Sequence, residues 1–306
     1  MTNLSIVLAG GSGFLGSHLR TELTSRGHSV TSLVRRPTTA PGESTWDPYA
    51  GDLGQVDAAL ISAADVVINL AGSPTLGNPH SKKWARELRE SRVRTTAVLA
   101  KAIAAATTAG APSPAFLAGN GISYYGDHGD AVLTEVSDSR GDALLTQVTR
   151  EWQDATTPAT EAGARVCVLR TSPVMDRRSA PLKQLRLQVK AGLGGRLGTG
   201  RQYMAMSSLR DWVDAVAHLA EHPDASGPFN ICLPTPPTNA EFTKTLAHAL
   251  HRRAILPVPA SALRLAAGAM GPELLGSLNV RPAALLASGF TFSDPDVDAV
   301  LTTALA

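Results

Sequence analysis

The chain has 306 residues, enough to bury a large core as one large domain or two modest ones. Charged residues make up 18% and the formal net charge is +2, so no global field points to nucleic acid or to an anionic membrane. Cys167 and Cys232 fit no metal spacing, and the Ala-rich segments at 97–111 and 260–270 are broken by Lys101 and Arg264 and too short to span a bilayer.

The N-terminal residues enter a strand with no basic stretch before it, so no signal peptide and a cytoplasmic location are expected. That strand is the apolar run Ile6-Val7-Leu8-Ala9, which lacks alternation and reads as a buried parallel strand. It breaks into Gly10-Gly11-Ser12-Gly13, and Leu15, Leu19 and Leu23 then mark a helix. Gly10, Gly13 and Gly16 form G-x-x-G-x-x-G, a variant of the dinucleotide fingerprint. The first glycine allows the turn, the second lets backbone N–H groups approach a pyrophosphate, and the third lets helix and strand pack closely. The first helical turn, with Phe14 and Leu15, adds the positive end of its dipole.

The second strand covers 29–34, and Arg35-Arg36 follow it where an NAD site would place an acid against the ribose hydroxyl. Two guanidinium groups there attract a 2′-phosphate, or else solvate a loop; the expected cofactor is NADP. Trp46-Asp47-Pro48 reads as loop, and a third strand covers 65–70. It closes in Leu70-Ala71-Gly72, small enough at its end for a dinucleotide to lie across the sheet edge. A helix covers about 81–108, a fourth strand 116–118, and residues 119–126 read as the loop after it. A helix over about 142–161 buries Leu144, Val148 and Trp152, and a fifth strand covers 165–169. Alternating strands and helices predict an α/β fold, a doubly wound parallel Rossmann sheet.

After Arg170 the pattern changes. A helix near 181–189 leads into the glycine loop 192–200, which is no Walker loop because it follows a helix and lacks the Lys-Ser/Thr pair. Trp212, Val216 and Leu219 mark a further helix, 229–232 a short strand, and Thr238-x-x-Glu241 a capping box. Short helices separated by Pro257, Pro259, Pro272 and Pro282 complete the chain, with no internal repeat. The expected organisation is an NADP-binding domain over 1–170, with contributions from about 205–232. A smaller substrate-binding region takes 171–204 and 233–306.

These residues resemble the short-chain dehydrogenase/reductase superfamily, extended nucleotide-sugar-epimerase type, and more narrowly its atypical "epimerase family protein" branch. The resemblance rests on GGSGFLG at 10–16, WDP at 46–48, INLAG at 68–72 and SKKWARELRESRVRTT at 81–96. It continues through SYYG at 123–126, EWQDA at 151–155, LRT at 169–171 and GLGGRLGTGRQYM at 192–204. TNAEF at 238–242, VPASALRLAAGAM at 258–270 and VRPAALLASGFTF at 280–292 complete it. It implies an N-terminal NADP-binding Rossmann domain and a C-terminal region closing over a substrate.

The chemistry departs from the superfamily. Its acid–base tyrosine, with a pKa of about 10 when free, is activated by a lysine four residues later. Here that helix carries Leu145 and Thr149, and the strand that should end in a substrate-binding serine reads Gly119-Asn120-Gly121. Where the branch has Trp-Ile-His before Asp-Asp, this chain has Met206-Ser207-Ser208-Leu209-Arg210-Asp211, and its Trp-Glu pair is Trp152-Gln153. These changes are expected to alter the pocket mouth.

The candidate catalytic residues are Tyr125, Asn120 and Tyr124. Tyr125, just before Gly126, either faces substrate or packs in the core, and Asn120 either donates to a carbonyl oxygen or caps a turn. Lys83 and Arg92 either meet an anionic substrate or solvate a helix face. His218-x3-His222 has helical metal spacing without a third ligand, so no metal is expected, and His128 is the one histidine near the presumed site.

The expected activity is that of an NADP-dependent oxidoreductase or epimerase-like enzyme on a small organic substrate. A cyclase, isomerase or dehydratase without net redox chemistry, and a non-enzymatic NADP-binding regulator, remain open. No nucleic-acid or membrane partner is expected; a homodimer is compatible with the sequence, which does not fix the assembly.

Overall fold

The computed structural model describes residues 3–51, 54–109, 113–192, 194–253 and 257–306. Leu193 of the glycine loop, and Gly110 and Ala111 of the first Ala-rich segment, lie outside the described residues. Nine strands are described: β1 Ser5–Ala9, β2 Ser29–Val34, β3 Glu43–Thr45, β4 Val66–Asn69, β5 Ala115–Gly121, β6 Val166–Thr171, β7 Val174–Met175, β8 Ser207–Ser208 and β9 Gly227–Ile231. Seven form one sheet in the order β3-β2-β1-β4-β5-β6-β9, every pair parallel; β7 and β8 form a separate parallel pair. The order reverses between β1 and β4, so their C-terminal ends open a crevice of the kind in which doubly wound folds hold ligands.

The helices are α1 Phe14–Ser25, α2 Ala58–Ser62, α3 Lys82–Thr108, α4 Leu144–Asp154, α5 Thr157–Glu161, α6 Ala180–Lys190, α7 Leu209–Glu221, α8 Asn239–Ala249, α9 Ala260–Ala267, α10 Gly271–Leu275, α11 Ala283–Ala287 and α12 Val297–Leu305. Leu19 and Leu23 of α1 pack with Trp212 and Leu219 of α7 on one face of the sheet. Leu99 and Ile103 of α3 cover the other face, with Trp46 beside them. Both faces of the central strands are therefore buried, as their unbroken apolar runs require.

The short elements α2, β7 and β8 were not foreseen, and three further differences from the sequence expectation have a clear physical reason. β3, three residues at a sheet edge, was not foreseen, because Glu-Ser-Thr carries no apolar signal. β5 continues through Gly119-Asn120-Gly121 instead of turning there, since those residues pair with Leu169, Arg170 and Thr171 of β6. The helix expected over 142–161 divides into α4 and α5 around Thr156, with Pro158 in the first turn of α5, where a missing N–H costs nothing.

A second core lies apart from the sheet. Leu182 and Val189 of α6, Phe242 and Leu246 of α8, and Val300 and Leu301 of α12 pack together with Met206. The expected capping box starts α8: Thr238 accepts from the Glu241 N–H while the Glu241 side chain reaches back to the Thr238 N–H. Residues 283–292 return to the first layer, where Leu285 and Phe290 pack with Trp212 and Phe229. No helix among the described residues is long and apolar enough to cross a membrane.

Candidate functional site

The turn after β1 forms the base of the crevice. Gly10 has φ +82°, and a Cβ there would lie 2.6 Å from the Leu70 carbonyl carbon, so the turns after β1 and β4 touch through a glycine. A Cβ on Gly16 would overlap the Gly10 carbonyl, which fixes how closely α1 approaches the strand. Gly13 is different. Its backbone is extended (φ −74°, ψ 171°), and a Cβ would meet only the Gly10 oxygen, at 3.3 Å. Neither backbone conformation nor crowding explains this glycine; open space in front of it does.

That space faces unfilled donors. Gly13 is the N-cap of α1 and offers no side chain, and the N–H groups of Phe14, Leu15 and Gly16 have no acceptor among the described residues. Three free N–H groups at the positive end of a 12-residue helix make a cradle for phosphate oxygens.

At the end of β2 the two arginines behave differently. Arg36 is held by Glu43 of β3, with Nη2 to Oε1 at 2.6 Å and Nη1 to Oε2 at 3.0 Å. That fork, with the Thr39 N–H, holds the Glu43 carboxyl down at about 2. Arg35 has no ion pair or hydrogen bond among the described residues, so it is the guanidinium available to a further anion.

A buried relay holds the turn after β4. The Asn69 side chain accepts from the Ala71 N–H (3.0 Å) and donates to Thr96 Oγ1 (2.9 Å), which also receives the Trp152 indole N–H (2.7 Å). Asn69 and Thr96 are both fully buried. Three separated motifs, INLAG, RVRTT and EWQDA, thus converge on the backbone of Ala71. Arg92 of α3 lies against Gly72, donates to Thr75 Oγ1 at 2.9 Å, and faces the Trp152 ring at 5.3 Å. Burial pulls its pKa down to about 10, so it remains a cation at neutral pH. Lys83 points into solvent beside Glu87.

Beyond β5 the expected catalytic residues are occupied. Tyr125 is fully buried; its hydroxyl donates to Asn230 Oδ1 (2.7 Å) and accepts from Arg170 Nη1 (2.8 Å). Burial raises its pKa to about 12 despite the nearby cation. It packs with Ile122, Leu133 and Val280, a core position, the second of the two roles its place before Gly126 allows. Asn120 likewise spends its amide on the fold, donating to the Thr149 carbonyl (3.0 Å) and accepting from the Gly121 N–H (2.7 Å). Tyr124 is half-buried, with the Arg170 guanidinium 3.6 Å from its ring centre. His128 bonds the Tyr125 carbonyl at 3.1 Å, and His218 stacks on His222 and bonds Ser288. No cluster of potential metal ligands exists among the described residues.

The positions expected to alter the pocket mouth also have structural work. Gln153 accepts from the buried Arg170 at 3.0 Å. Ser208 caps α7, and the buried Asp211 carboxylate accepts the N–H groups of Ser293 (2.8 Å) and Asp294 (2.9 Å), pinning the tail. These side chains hold the fold: Ser208 and Asp211 meet backbone N–H groups that would otherwise be orphaned, and Gln153 meets the buried Arg170 guanidinium.

Two residues that sequence reasoning passed over sit at this edge instead. Ser123, in the 3-10 turn Ile122–Tyr125, lies beside the Glu273 carboxylate of α10. Glu273 also accepts from the Leu145 N–H at 3.0 Å, and Leu145 is where the superfamily tyrosine would stand. No motif marks Glu273, and 128 residues separate it from Leu145. Ser123 was visible only as part of SYYG.

Comparison with known proteins follows this geometry. Residues 6–232 match the family described as "NAD dependent epimerase/dehydratase family", and 258–304 match a domain of unknown function, DUF1731. "Epimerase family protein Mb2239" of Mycobacterium bovis is 37% identical over 293 residues, covering 95% of this chain and 94% of that protein. The crystal structure of human epimerase family protein SDR39U1 (isoform 2) with NADPH is similar at a TM-score of 0.85 and 31% identity, covering 98% of this chain and 99% of that one. MoeE5 in complex with UDP-glucuronic acid and NAD shares the fold at a TM-score of 0.74 and 21% identity, covering 98% and 97%.

Proposed function

Because this chain belongs to the NAD dependent epimerase/dehydratase family, we propose that it binds NADP(H) across the β1–β4 crevice and acts on a small organic substrate as an oxidoreductase or epimerase-like enzyme. The observation that carries this reading is the row of unfilled N–H groups on Phe14, Leu15 and Gly16, facing the open side of Gly13. Those groups would hold the pyrophosphate, and Arg35 would meet the 2′-phosphate, with Arg36 braced by Glu43 beside it. Leu70, Ala71 and Gly72, fixed by the Asn69 relay and walled by Arg92, would carry the far half of the dinucleotide. That the human relative was solved with NADPH supports the choice of nucleotide.

When bound, the nicotinamide supplies or accepts a hydride. The chain's own part is to orient it, exclude water and handle a proton. We assign substrate binding to 171–204 and 233–306, whose helices α6, α8 and α12 share a core of their own. The buried, unpaired Cys167 and Cys232 fit a reducing cytoplasm.

Calorimetric titration of nucleotide-stripped protein tests this. Micromolar NADPH binding with much weaker NADH binding supports it; no binding of either overturns it. Arg35→Asp should weaken NADPH binding by about tenfold or more and leave NADH binding almost unchanged. A second reading rests on Leu145 and Thr149, which stand where the Tyr/Lys pair would be. In it the nucleotide is retained but not oxidised, as in an isomerase or cyclase, and substrate loss without change in nicotinamide absorbance would identify it.

A further inference from the structure

The tail lies along the edge of the crevice beyond β4 and β5. On the β4 side Ala269 donates to the Pro79 carbonyl (3.2 Å) and His80 bonds the Ala266 carbonyl (3.2 Å). On the β5 side the Ser277 N–H donates to Asp127 Oδ1 (3.2 Å). Between these anchors α10 places Glu273 against the first turn of α4, whose N-cap, Ala143, has no capping side chain. A dinucleotide that starts at Gly10–Gly16 and crosses the switch point directs its nicotinamide end toward this edge.

We propose that Glu273, with Ser123 beside it, is the catalytic acid–base group of this cleft, acting on the oxygen of a carbonyl or secondary-alcohol substrate. The assignment rests on the NADP(H) reading above. In the reducing direction Glu273 gives its proton to the carbonyl oxygen while the carbonyl carbon accepts a hydride from the dihydronicotinamide. The π pair of the C=O bond becomes the new O–H bond. The products are an alcohol, oxidised nicotinamide and the Glu273 carboxylate, which regains a proton from water. Ser123 lies beside the carboxyl and can offer its hydroxyl to the same oxygen. Burial raises the carboxyl's pKa against the opposing effect of Ser123 and the N–H groups of Leu145 and Thr146, which favours a proton-bearing form.

A carboxylate that only capped α4 would show the same contacts, so the test must report on the nicotinamide. Oxidised nicotinamide is a cation and the reduced ring is neutral, while the 2′-phosphate and adenine are common to both. The ratio of NADP to NADPH affinity therefore isolates charge near the ring. Other titratable or charged groups around α10 are His80 on the turn before α3, Asp127 and His128 after β5, and Arg264 on α9.

The full chain is titrated with each nucleotide from about pH 4 to about pH 9, which spans the ordinary carboxylate range and the raised range above it. As Glu273 ionises, the ratio should shift roughly fivefold toward NADP, and Glu273→Gln should flatten it. The Gln variant keeps an acceptor for the Leu145 N–H, so its melting temperature should stay near that of the parent. The difference in proton release between NADP and NADPH binding to the unmodified protein, read in two buffers of different ionisation enthalpy, gives the same answer without a variant, because the 2′-phosphate contributes equally to both. A ratio independent of pH, or one unaltered by Glu273→Gln, overturns the assignment while leaving the nucleotide site standing. Absence of nucleotide binding overturns both.

Discussion

The two edges of the cleft treat their polar groups in opposite ways. At the β1 edge the donors of Phe14, Leu15 and Gly16 and the Arg35 guanidinium have no partner among the described residues. At the β5 edge Asn120 is taken up by the Thr149 carbonyl and the Gly121 N–H, and Tyr125 bonds Asn230 and Arg170, whose Nε alone lacks a partner. Unfilled donors held rigid by a tight turn are ready for a ligand; satisfied ones hold the fold. The residue types alone suggest the reverse, since a tyrosine and an asparagine look more chemical than a glycine turn.

The sharpest way to break this contrast is at the glycines. Gly13→Val should abolish detectable NADPH binding while costing only about 1 kcal/mol of stability, as a poor N-cap. Gly16→Val should lose binding and also about 3 kcal/mol, because its side chain meets the Gly10 backbone. Calorimetry paired with urea denaturation checks both, and equal stability losses would dissolve the distinction between an open glycine and a packed one.

A smaller effect tests the β5 edge. Tyr125→Phe should cost about 1–3 kcal/mol by leaving Arg170 and Asn230 each short of a partner, with NADPH affinity unchanged. Tyr124→Phe should stay within about 0.5 kcal/mol, since its ring stacking on Arg170 survives. If Tyr125→Phe were as harmless as Tyr124→Phe, the buried hydroxyl would not be holding this edge together.

The smallest expected effect separates Arg36 from Arg35. The folded pKa of Glu43, about 2, lies below its ordinary value of 4.5, so its pairing stabilises the protein above the ordinary value and is lost as pH falls toward 2. Arg36 is 52% exposed, so solvent screening keeps this contribution small. NMR titration should show the Glu43 carboxyl move back toward 4.5 in Arg36→Ala and stay in place in Arg35→Ala.

The glycine turn and the arginines after β2 were legible because their parts are local. Gly10, Gly13 and Gly16 fall within seven residues, from the turn after β1 to the first turn of α1, and Arg35 follows the next strand directly. The relay under Ala71 was legible only as separate motifs: Asn69, Thr96 and Trp152 come from β4, α3 and α4, and nothing in their spacing says that they meet. The choice between the two roles of Tyr125 was not legible for a related reason. Its chain position, just before Gly126, is right for a ligand-facing residue, but Arg170 and Asn230 arrive from β6 and β9 and turn it inward.

The sequence by itself determined the parallel sheet, the phosphate turn and the helix caps, because apolar period, glycine spacing and capping residues act over a few positions. Tertiary structure alone decided which polar side chains remain free. It buried Tyr125, occupied Asn120 and carried Glu273 from the C-terminal tail to Ser123 and Leu145. Hydrogen-bond satisfaction in a packed interior depends on partners that are distant along the chain, and only folding brings them within reach.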